Sequence, residues 1–463
     1  MYRNLILLTD SYKVTHFEQY PPGTTHVYSY WESRGGQFPE TVMFGLNYLL
    51  HEYLAHPINM NDIDYAEKRF AAHFGTKELF NRAGWERIVK VHNGRLPVLI
   101  KAVPEGTVVP IRNVLMTVEN TDPELPWLTN YLETLLCQLW YPTTVATQSR
   151  AIKQMIGNYL KDTGDLAGLP FKLHDFGFRG VSSVESAAIG GAAHLVNFMG
   201  TDTMAGYELA YQYYQEEMAG FSIPAAEHST ITSWGRENEA KAFTNMIDKF
   251  GTGKSGLYAV VSDSYDIFNA TKHIWGEQLK NAVLAAPNTL VVRPDSGIPH
   301  QIVLAVLENL GAAYGVTINA KGYKVLNKVR VIQGDGVEYA EIDKILGDMK
   351  EAGWSADNVA FGMGGALLQK LNRDTQRFAF KCSSVTINGE DRDVWKDPVT
   401  DAGKHSKRGR LRLIRDTHTQ ELKTVRWNDW VPGKDLLETV FENGTIKVIP
   451  TFAEIRERAK VEF

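Results

Sequence analysis

Six short apolar segments, each ending in a turn rich in Gly and Asp, constrain the fold of this chain more than any other feature. They follow one another from about Phe171 and end at LHDFGFRG, LVNFMGTDT, AVVSDSYD, LVVRPDSG, VRVIQGDG and NVAFGMGG. Helix-like stretches separate them. Strands that alternate with helices form right-handed βαβ units and a parallel sheet. Six such strands predict an α/β fold with an irregular (β/α) barrel.

The sequence on either side of the predicted barrel has a different rhythm. Residues 95–122 alternate β-branched residues with Pro, Gly and Asn, which is typical of short antiparallel strands. A strand is predicted near Val27–Trp31. Helices are predicted over Thr41–Leu54 and over Trp127–Leu160, the second with a break at Pro142.

Closely spaced strands are predicted again after about Asp374, at RLRLI and LKTVRW. We therefore expect the C-terminal segment to pack beside the N-terminal one. The predicted organisation is a (β/α) barrel-like domain over 151–374, and a discontinuous α+β domain, rich in antiparallel strands, formed by 1–150 with 375–463.

Composition excludes several classes of protein. A formal net charge of -5 over 463 residues argues against a nucleic-acid coating protein, which needs a basic surface. Cys137 and Cys382 are the only cysteines, so neither a disulfide framework nor a zinc cluster is expected. The apolar stretch Leu5–Leu8 is too short for a signal peptide, and no segment is long and apolar enough to span a membrane. We expect a cytoplasmic protein.

Charged residues gather at the carboxyl ends of the predicted strands, where a (β/α) barrel places its active site. They are Asp175, Arg179, Asp202, Asp263, Asp266, Arg293, Asp295 and Asp335. Any single Asp here could equally be a turn residue or a helix cap. The whole set together favours a site.

The mixture of Arg and Asp suits a substrate with anionic and hydroxylated parts, because guanidinium pairs with phosphate while carboxylates hold ribose hydroxyls or Mg²⁺. The Gly-rich segment FGMGGALLQKLNRD follows a predicted strand and leads into a helical pattern. Its backbone N–H groups could hold a phosphate at the helix N-terminus. The alternative is close packing of strand against helix.

Three other motifs do not fit the chemistry that they suggest. GTGKS at 251–255 has Asp248 where a P-loop needs Gly, and we interpret it as a surface turn. HEYLAH at 51–56 spaces its His residues by five, which places them on different sides of a helix. KHSKRGRLR at 404–412 could be a nucleic-acid patch, a solvated turn or additional phosphate contacts.

Eight motifs, in order along nearly the whole chain, resemble the nicotinamide phosphoribosyltransferase family of type II phosphoribosyltransferases. They are TDSYKVTH (9–16), LHDFGFRGVSS (173–183), GTDT (200–203), PAAEHSTITSWG (224–235), VVSDSYDI (260–267), RPDSG (293–297), QGDGV (333–337) and KDP (396–398). The resemblance implies transfer of a phosphoribosyl group from phosphoribosyl pyrophosphate to nicotinamide, with Mg²⁺, for NAD synthesis. It also implies a homodimer with shared active sites.

The same resemblance implies a role for individual residues. Phe176 and Tyr12, the latter from the other subunit, would sandwich the pyridine ring, and Asp202 would accept a hydrogen bond from the carboxamide. His228, phosphorylated by ATP, would act in catalysis with Asp263 and Asp295. The ribose and phosphate groups would contact Arg293, Gly334, Asp335, Gly364, Gly365, Arg179, Arg373, Lys381, Lys396 and Lys404.

Some positions depart from the family pattern. Met363 and Ala366 interrupt the Gly-rich loop, and Ala379 stands where a phosphate-contacting Ser is usual. Two alternatives remain open: a nicotinate phosphoribosyltransferase, which Asp202 argues against, and a non-catalytic nicotinamide-binding dimer.

Overall fold

The computed structural model describes residues 4–253, 255–400 and 405–463. The chain divides into two compact units. The first comprises Met1–Thr147, Tyr213–Gln215 and Asn372–Ala459, and the second comprises Gln148–Gln212, Glu216–Leu371 and Lys460–Phe463. The sequence predicts domain boundaries near 150 and 375.

Strands occur throughout the chain. In order they are β1 (Thr24–Ser33), β2 (Glu40–Val42), β3 (Val98–Ala102), β4 (Val108–Pro110), β5 (Val114–Asn120), β6 (Leu173–Asp175), β7 (Gly200–Thr201), β8 (Leu257–Val261), β9 (Thr289–Arg293), β10 (Val316–Ile318), β11 (Lys324–Leu326), β12 (Val329–Gln333), β13 (Val359–Met363), β14 (Phe378–Ile387), β15 (Glu390–Asp393), β16 (Leu411–Arg415), β17 (Leu422–Arg426), β18 (Glu438–Glu442) and β19 (Thr445–Ile446).

The α-helices are α1 (Leu46–Leu49), α2 (Met60–Phe74), α3 (Arg82–His92), α4 (Leu128–Tyr131), α5 (Glu133–Cys137), α6 (Trp140–Thr163), α7 (Val184–Leu195), α8 (Met204–Tyr214), α9 (His228–Thr232), α10 (Glu239–Phe250), α11 (Ile267–Asn269), α12 (Lys280–Ala285), α13 (Pro299–Tyr314), α14 (Tyr339–Glu351), α15 (Gly365–Leu368) and α16 (Phe452–Arg458). Short 3-10 helices span Leu5–Leu7, Ser11–Glu18, Leu166–Phe171, Phe178–Gly180, Arg236–Asn238, Ala356–Asn358 and Arg373–Thr375, and π-helical turns span Leu50–Leu54 and Ala270–Gln278.

The second unit is built on a parallel sheet whose strand order is β7-β6-β13-β12-β9-β8. These are the six strands that the sequence predicts, and the α/β barrel class is confirmed. An extended segment, residues 221–226, joins the two edge strands. Thr201 N donates to Phe221 O (3.0 Å) beside β7, and Ala226 N donates to Ala259 O (3.0 Å) on β8. The segment therefore closes the sheet into a barrel.

The barrel interior is narrow and apolar. Ala259, Val291 and Ile332, one from each of three strands, form a buried cluster. Ile223 of the closing segment and Phe176 pack against it. Small and β-branched residues suit this position because a six-stranded sheet leaves little space inside. The filled interior supports the loops at the carboxyl ends of the strands.

The first unit contains an antiparallel sheet with the order β15-β14-β1-β5-β3-β18-β19. Strand β14, from the C-terminal part of the chain, pairs with β1 over almost its whole length. Residues from the two ends of the chain therefore share one sheet. Trp31 of β1 is fully buried and stacks on Phe378 of β14 at a centroid distance of 4.5 Å, which fixes the two strands together.

Two predicted helix features differ in the structure. The first helix does not begin at Thr41, because Glu40–Val42 pairs with β4; it begins after Gly45, whose φ of 100° only Gly adopts readily. Pro142 does not break a helix. It lies in the first turn of α6, where its missing N–H removes no helical hydrogen bond. Among the described residues, no helix is long and apolar enough to cross a membrane.

Candidate active site

A cavity of about 470 Å³ opens at the carboxyl ends of the barrel strands. We name it the barrel-mouth cavity. Its lining comprises Phe176, Phe178, Arg179, Gly180, Asp202, Thr203, Arg293, Asp295, Gly334, Asp335, Gly364 and Gly365. Nine of these are residues predicted from the sequence for substrate binding or catalysis. The loops after five different strands therefore meet at one place, as expected for the active end of a barrel.

Phe176 forms the apolar floor of the cavity. Its backbone N donates to Met363 O (3.0 Å), and the next residue, Gly177, donates its N–H to the Asp175 carboxylate (2.7 Å). The ring lies against Gly362, where a Cβ atom would stand 2.0 Å from the Phe176 ring. Gly at 362 is therefore required for the ring position, a point that sequence reasoning missed.

Asp202 lies at the edge of the same cavity. Its backbone N donates to Asp175 O (3.0 Å), which ties the turn after β7 to the end of β6. Its Oδ1 accepts a hydrogen bond from the Ser222 hydroxyl at 2.5 Å. Among the described residues, Oδ2 of Asp202 has no hydrogen-bond partner. The side chain thus presents a free acceptor to the cavity.

Two of the predicted rim acids have structural roles instead. Asp175 is fully buried, and burial raises the pKa of its carboxyl to about 6; it fixes the Phe176 turn from below and does not line the cavity. Asp266 caps α11, since its Oδ1 accepts from Phe268 N (2.9 Å) and Asn269 N (3.0 Å). At these two positions the aspartate is therefore a turn residue or a helix cap, the alternative considered for any single Asp of the set.

His228, Asp263 and Asp295 form a charged cluster beside the cavity. His228 Nε2 lies 3.6 Å from Asp263 Oδ1 and 3.5 Å from Asp295 Oδ2. The other ring nitrogen, Nδ1, is 3.1 Å from the Ser264 hydroxyl. The ring is therefore held on both sides, with its Nε2 edge directed at two carboxylates.

Asp263 also organises the loop that carries Asp295. Its Oδ2 accepts from Asp295 N at 2.9 Å and from the Ser296 hydroxyl. Its side chain is only 3% exposed, and Oδ1 has no hydrogen-bond partner among the described residues. Asp295 in turn lies 3.5 Å from Arg293 Nη2. The three residues predicted to be catalytic are thus in mutual contact.

Glycines, among them Gly180 and Gly365, also line the barrel-mouth cavity. Gly180 approaches Gly365 so closely that a Cβ at 180 would be 3.3 Å from Gly365 Cα, while the space over Gly365 itself is open. Backbone N–H groups can therefore reach an anion without side-chain interference. The helix that begins there, α15, has only four residues.

A second cavity, of about 580 Å³, lies in the first unit. We name it the basic cavity. It is lined by Arg34, Arg112, Glu133, Cys137, Arg373, Asp374, Arg377, Phe378, Ala379, Phe380, Lys381 and Lys396. Six cationic side chains face two acidic ones. Arg373, Lys381 and Lys396 were predicted for phosphate binding, and the structure brings these three together.

The other arginines of the basic cavity were missed. Nε and Nη2 of Arg34 are buried and have no hydrogen-bond partner among the described residues, although Nε lies 3.5 Å from Glu32 Oε1 in an ion pair. Nη2 in particular remains available to an anion. Arg112 and Arg377 have left-handed backbones, with φ of 65° and 49°. Such strain is typical of functional sites. Burial raises the pKa of Cys137 to about 12, so its thiol is unreactive.

Burial also lowers the pKa of Lys381. An anionic ligand bound in the basic cavity would offset the desolvation of the Lys381 ammonium group.

Tyr12 lies in the 3-10 helix Ser11–Glu18 of the first unit and is 60% exposed. Lys404 lies outside the described residues.

Comparisons with known proteins identify the family of this chain. The nicotinate phosphoribosyltransferase family model matches residues 171–445, and the model of the nicotinamide phosphoribosyltransferase N-terminal domain matches residues 4–100. A nicotinamide phosphoribosyltransferase of Xanthomonas campestris is 52% identical over 98% of both chains. One from Acinetobacter baylyi is 34% identical over 97% of this chain and 95% of its own.

A solved structure shares the fold. Nicotinate-nucleotide pyrophosphorylase from Pyrococcus furiosus superposes with a TM-score of 0.61 at 16% identity, covering 98% of this chain and 94% of that one. At this identity the likeness concerns the fold alone. The family follows from the sequence relatives and the family models: this chain belongs to the nicotinamide phosphoribosyltransferase family, and is an enzyme of the pentosyltransferase class.

Proposed function

We propose that this enzyme transfers the 5-phosphoribosyl group of phosphoribosyl pyrophosphate to nicotinamide, giving nicotinamide mononucleotide and pyrophosphate, for NAD salvage in the cytoplasm. The observation that carries the proposal is the barrel-mouth cavity, where an aromatic floor, a free carboxylate acceptor and a Gly-rich wall meet. These three features match a flat ring, a carboxamide and a phosphate.

Recognition of the ring uses Phe176 and Asp202. A pyridine ring lying on Phe176 gains stacking and apolar burial. The free Oδ2 of Asp202 would accept a hydrogen bond from the carboxamide NH₂. Nicotinate has a carboxylate there, which would be repelled by Asp202 and could offer it no proton. The enzyme should therefore prefer nicotinamide.

Transfer builds positive charge on C1 of the ribose as pyrophosphate departs. Asp295 lines the cavity and the buried Asp263 accepts a hydrogen bond from its backbone N; their carboxylates would stabilise that charge electrostatically. The pyridine nitrogen attacks C1 with its lone pair while the bond from C1 to the pyrophosphate oxygen breaks. Arg293 beside Asp295 would bind oxygen atoms of the substrate and hold the sugar in line.

Pyrophosphate requires concentrated positive charge, and the basic cavity supplies it. Arg34, whose buried Nη2 donates no hydrogen bond among the described residues, would bind a diphosphate together with Arg373, Lys381 and Lys396. We propose that Arg179 and Lys404 also bind phosphate oxygens of the substrate. We also propose a homodimer with shared active sites, in which the exposed Tyr12 of one subunit covers the nicotinamide ring bound by the other.

Magnesium fits this set of residues if phosphate oxygens supply most of its ligands. Among the described residues, no group of three or more His, Cys, Asp or Glu could hold a metal ion by itself. Mg²⁺ commonly uses one or two carboxylates with substrate phosphates. The unpaired Oδ1 of Asp263 and the neighbouring Asp295 are the candidates. When bound, Mg²⁺ would neutralise charge on the leaving pyrophosphate.

ATP is proposed as a second substrate, with His228 as phosphate acceptor. The ring is fixed between Ser264 and the two carboxylates, and its side chain is 44% exposed. Transfer of the γ-phosphoryl group to a ring nitrogen would release ADP and place a dianion next to Asp263 and Asp295. Its repulsion from these acids would be relieved by Mg²⁺ and the substrate, which couples phosphorylation to binding.

The direct test is product formation. Purified protein is incubated with phosphoribosyl pyrophosphate, Mg²⁺ and either nicotinamide or nicotinate, and the mononucleotides are separated by chromatography. We expect nicotinamide mononucleotide and a clear preference over nicotinate. Preference for nicotinate would establish the alternative enzyme. Binding of nicotinamide without any product would establish a non-catalytic binding dimer.

A further inference from the structure

The closing segment of the barrel, residues 221–226, joins the two edge strands and also contacts Asp202, the residue proposed above to bind the carboxamide. Phe221 N donates to Met199 O (2.7 Å), and Ala259 N donates to Pro224 O (2.9 Å). Ser222 stands between these two anchor points. Its backbone position is therefore set by both edges of the sheet.

The Ser222 hydroxyl donates to Oδ1 of Asp202 at 2.5 Å. A serine hydroxyl has one proton to donate, and here a carboxylate oxygen receives it. Hydrogen bonds from a neutral donor to an ionised acceptor are stronger than neutral ones. The bond leaves Oδ2 of Asp202 as the atom directed to a ligand.

We propose that Ser222 is a positioning residue that determines specificity for nicotinamide, by fixing one oxygen of Asp202 so that the other meets the carboxamide NH₂. This inference rests on the proposed function. Ser222 itself does not line the barrel-mouth cavity, whereas Asp202 does. It acts on the substrate only through Asp202.

The physical reason is that Asp202 has few other restraints. Its side chain is exposed, and no other side chain among the described residues donates to it. Without Ser222 the carboxylate could rotate about χ1 and χ2 and would be ordered only on binding, which weakens binding. A freely rotating carboxylate could also turn away from a nicotinate carboxylate. Loss of Ser222 should therefore weaken nicotinamide binding and relax discrimination together.

The test compares Ser222→Ala, Ser222→Thr and wild type with both substrates, at saturating phosphoribosyl pyrophosphate and Mg²⁺. We expect Ser222→Ala to raise KM for nicotinamide about tenfold, with kcat changed much less, and to lower the preference over nicotinate by a similar factor. Ser222→Thr keeps the hydroxyl and should restore both values. The matched control is Thr317→Ala in β10, which removes an exposed hydroxyl that donates a hydrogen bond to Asn327 Oδ1.

A double-mutant cycle separates this role from a structural one. If Ser222 acts through Asp202, Ser222→Ala should have no further effect on KM or selectivity in an Asp202→Asn background. Equal loss of kcat for both substrates, with a lowered Tm, would show that Ser222 only supports the barrel, and would overturn the proposal. So would unchanged KM and selectivity in an active enzyme. Wild-type protein that makes no nicotinamide mononucleotide would instead overturn the proposed function and this role with it.

Discussion

The Phe176 ring lies directly over Gly362, so that a Cβ at position 362 would be only 2.0 Å from Cε2 of the ring. Gly362 is the fourth of the five residues of β13, and Phe176 follows β6, the strand that pairs with β13. A glycine in the interior of a strand weakens the strand, but marks a close approach of another group. The position of the Phe176 ring in the cavity floor therefore depends on the absence of a side chain at position 362.

Gly362→Ala should displace the ring and raise KM for nicotinamide by roughly tenfold or more, with a loss of about 1–3 kcal/mol in the free energy of unfolding from overpacking. Steady-state kinetics and urea denaturation measure the two effects. Gly347→Ala, in helix α14, is the control, because a Cβ at Gly347 would make only an ordinary contact of 3.5 Å with the Tyr159 hydroxyl. Wild-type affinity in Gly362→Ala would contradict the assigned role of Phe176.

Arg34→Met should weaken binding of phosphoribosyl pyrophosphate and leave binding of nicotinamide nearly unchanged. Nε and Nη2 of Arg34 are buried without a hydrogen-bond partner among the described residues, and the contact of Nε with Glu32 Oε1 is long, at 3.5 Å. An anion that binds there would complete the hydrogen bonding of the guanidinium group. We expect KM for phosphoribosyl pyrophosphate to rise about tenfold. The matched control is Arg82→Met, since Arg82 pairs with three carboxylates on the surface of the first unit. An equal effect of both substitutions would argue against a specific anion site.

The sequence predicts the barrel-mouth cavity well, because each strand carries its own signal and parallel strands must end at one edge. The basic cavity is different. Arg34 and Arg377 meet because β1 pairs with β14, where Ser33 lies opposite Phe378. No local pattern connects positions so far apart, and only the three cations that the family resemblance implies, Arg373, Lys381 and Lys396, were found beforehand.

Local competition explains the remaining errors. Asp175 and Asp266 look like the other rim acids, but each has a backbone N–H within two or three residues that its carboxylate can accept. In Asx turns and helix caps of this kind the carboxylate already accepts hydrogen bonds from the nearby backbone, so it is not free to bind a ligand. The closing segment was missed because Pro224 and the following alanines lack a strand pattern, although isolated bridges at Phe221 and Ala225 hold it.

His228→Asn should abolish any dependence of the rate on ATP. The substitution removes the nitrogen that would accept the phosphoryl group, while its amide can still bond to Ser264 or Asp263. Rates with and without ATP should become equal, and acid-labile phosphohistidine should be absent from the variant. His273→Asn, an exposed histidine paired with Glu277, is the control and should keep the wild-type response. Full ATP stimulation in His228→Asn would place the acceptor elsewhere.

Because of Lys172, the free energy of unfolding should increase with pH in mildly alkaline solution. Its Nζ donates to the carbonyl oxygens of Ala356 (3.0 Å), Asp357 (2.9 Å) and Val359 (3.0 Å) at the end of the sheet opposite the cavity, and burial lowers its pKa to about 8. In the unfolded chain a lysine keeps its proton up to about pH 10.4. Between these two values the unfolded state binds more protons than the folded state, so the free energy of unfolding rises with pH.

Lys172→Met has no such proton to lose. The free energy of unfolding of wild type minus that of Lys172→Met should therefore increase by up to about 3 kcal/mol between roughly pH 8 and pH 10.5. Urea denaturation of both proteins across this range measures the difference. A difference that is constant or falls with pH would show that burial does not lower the pKa of Lys172 in the folded protein.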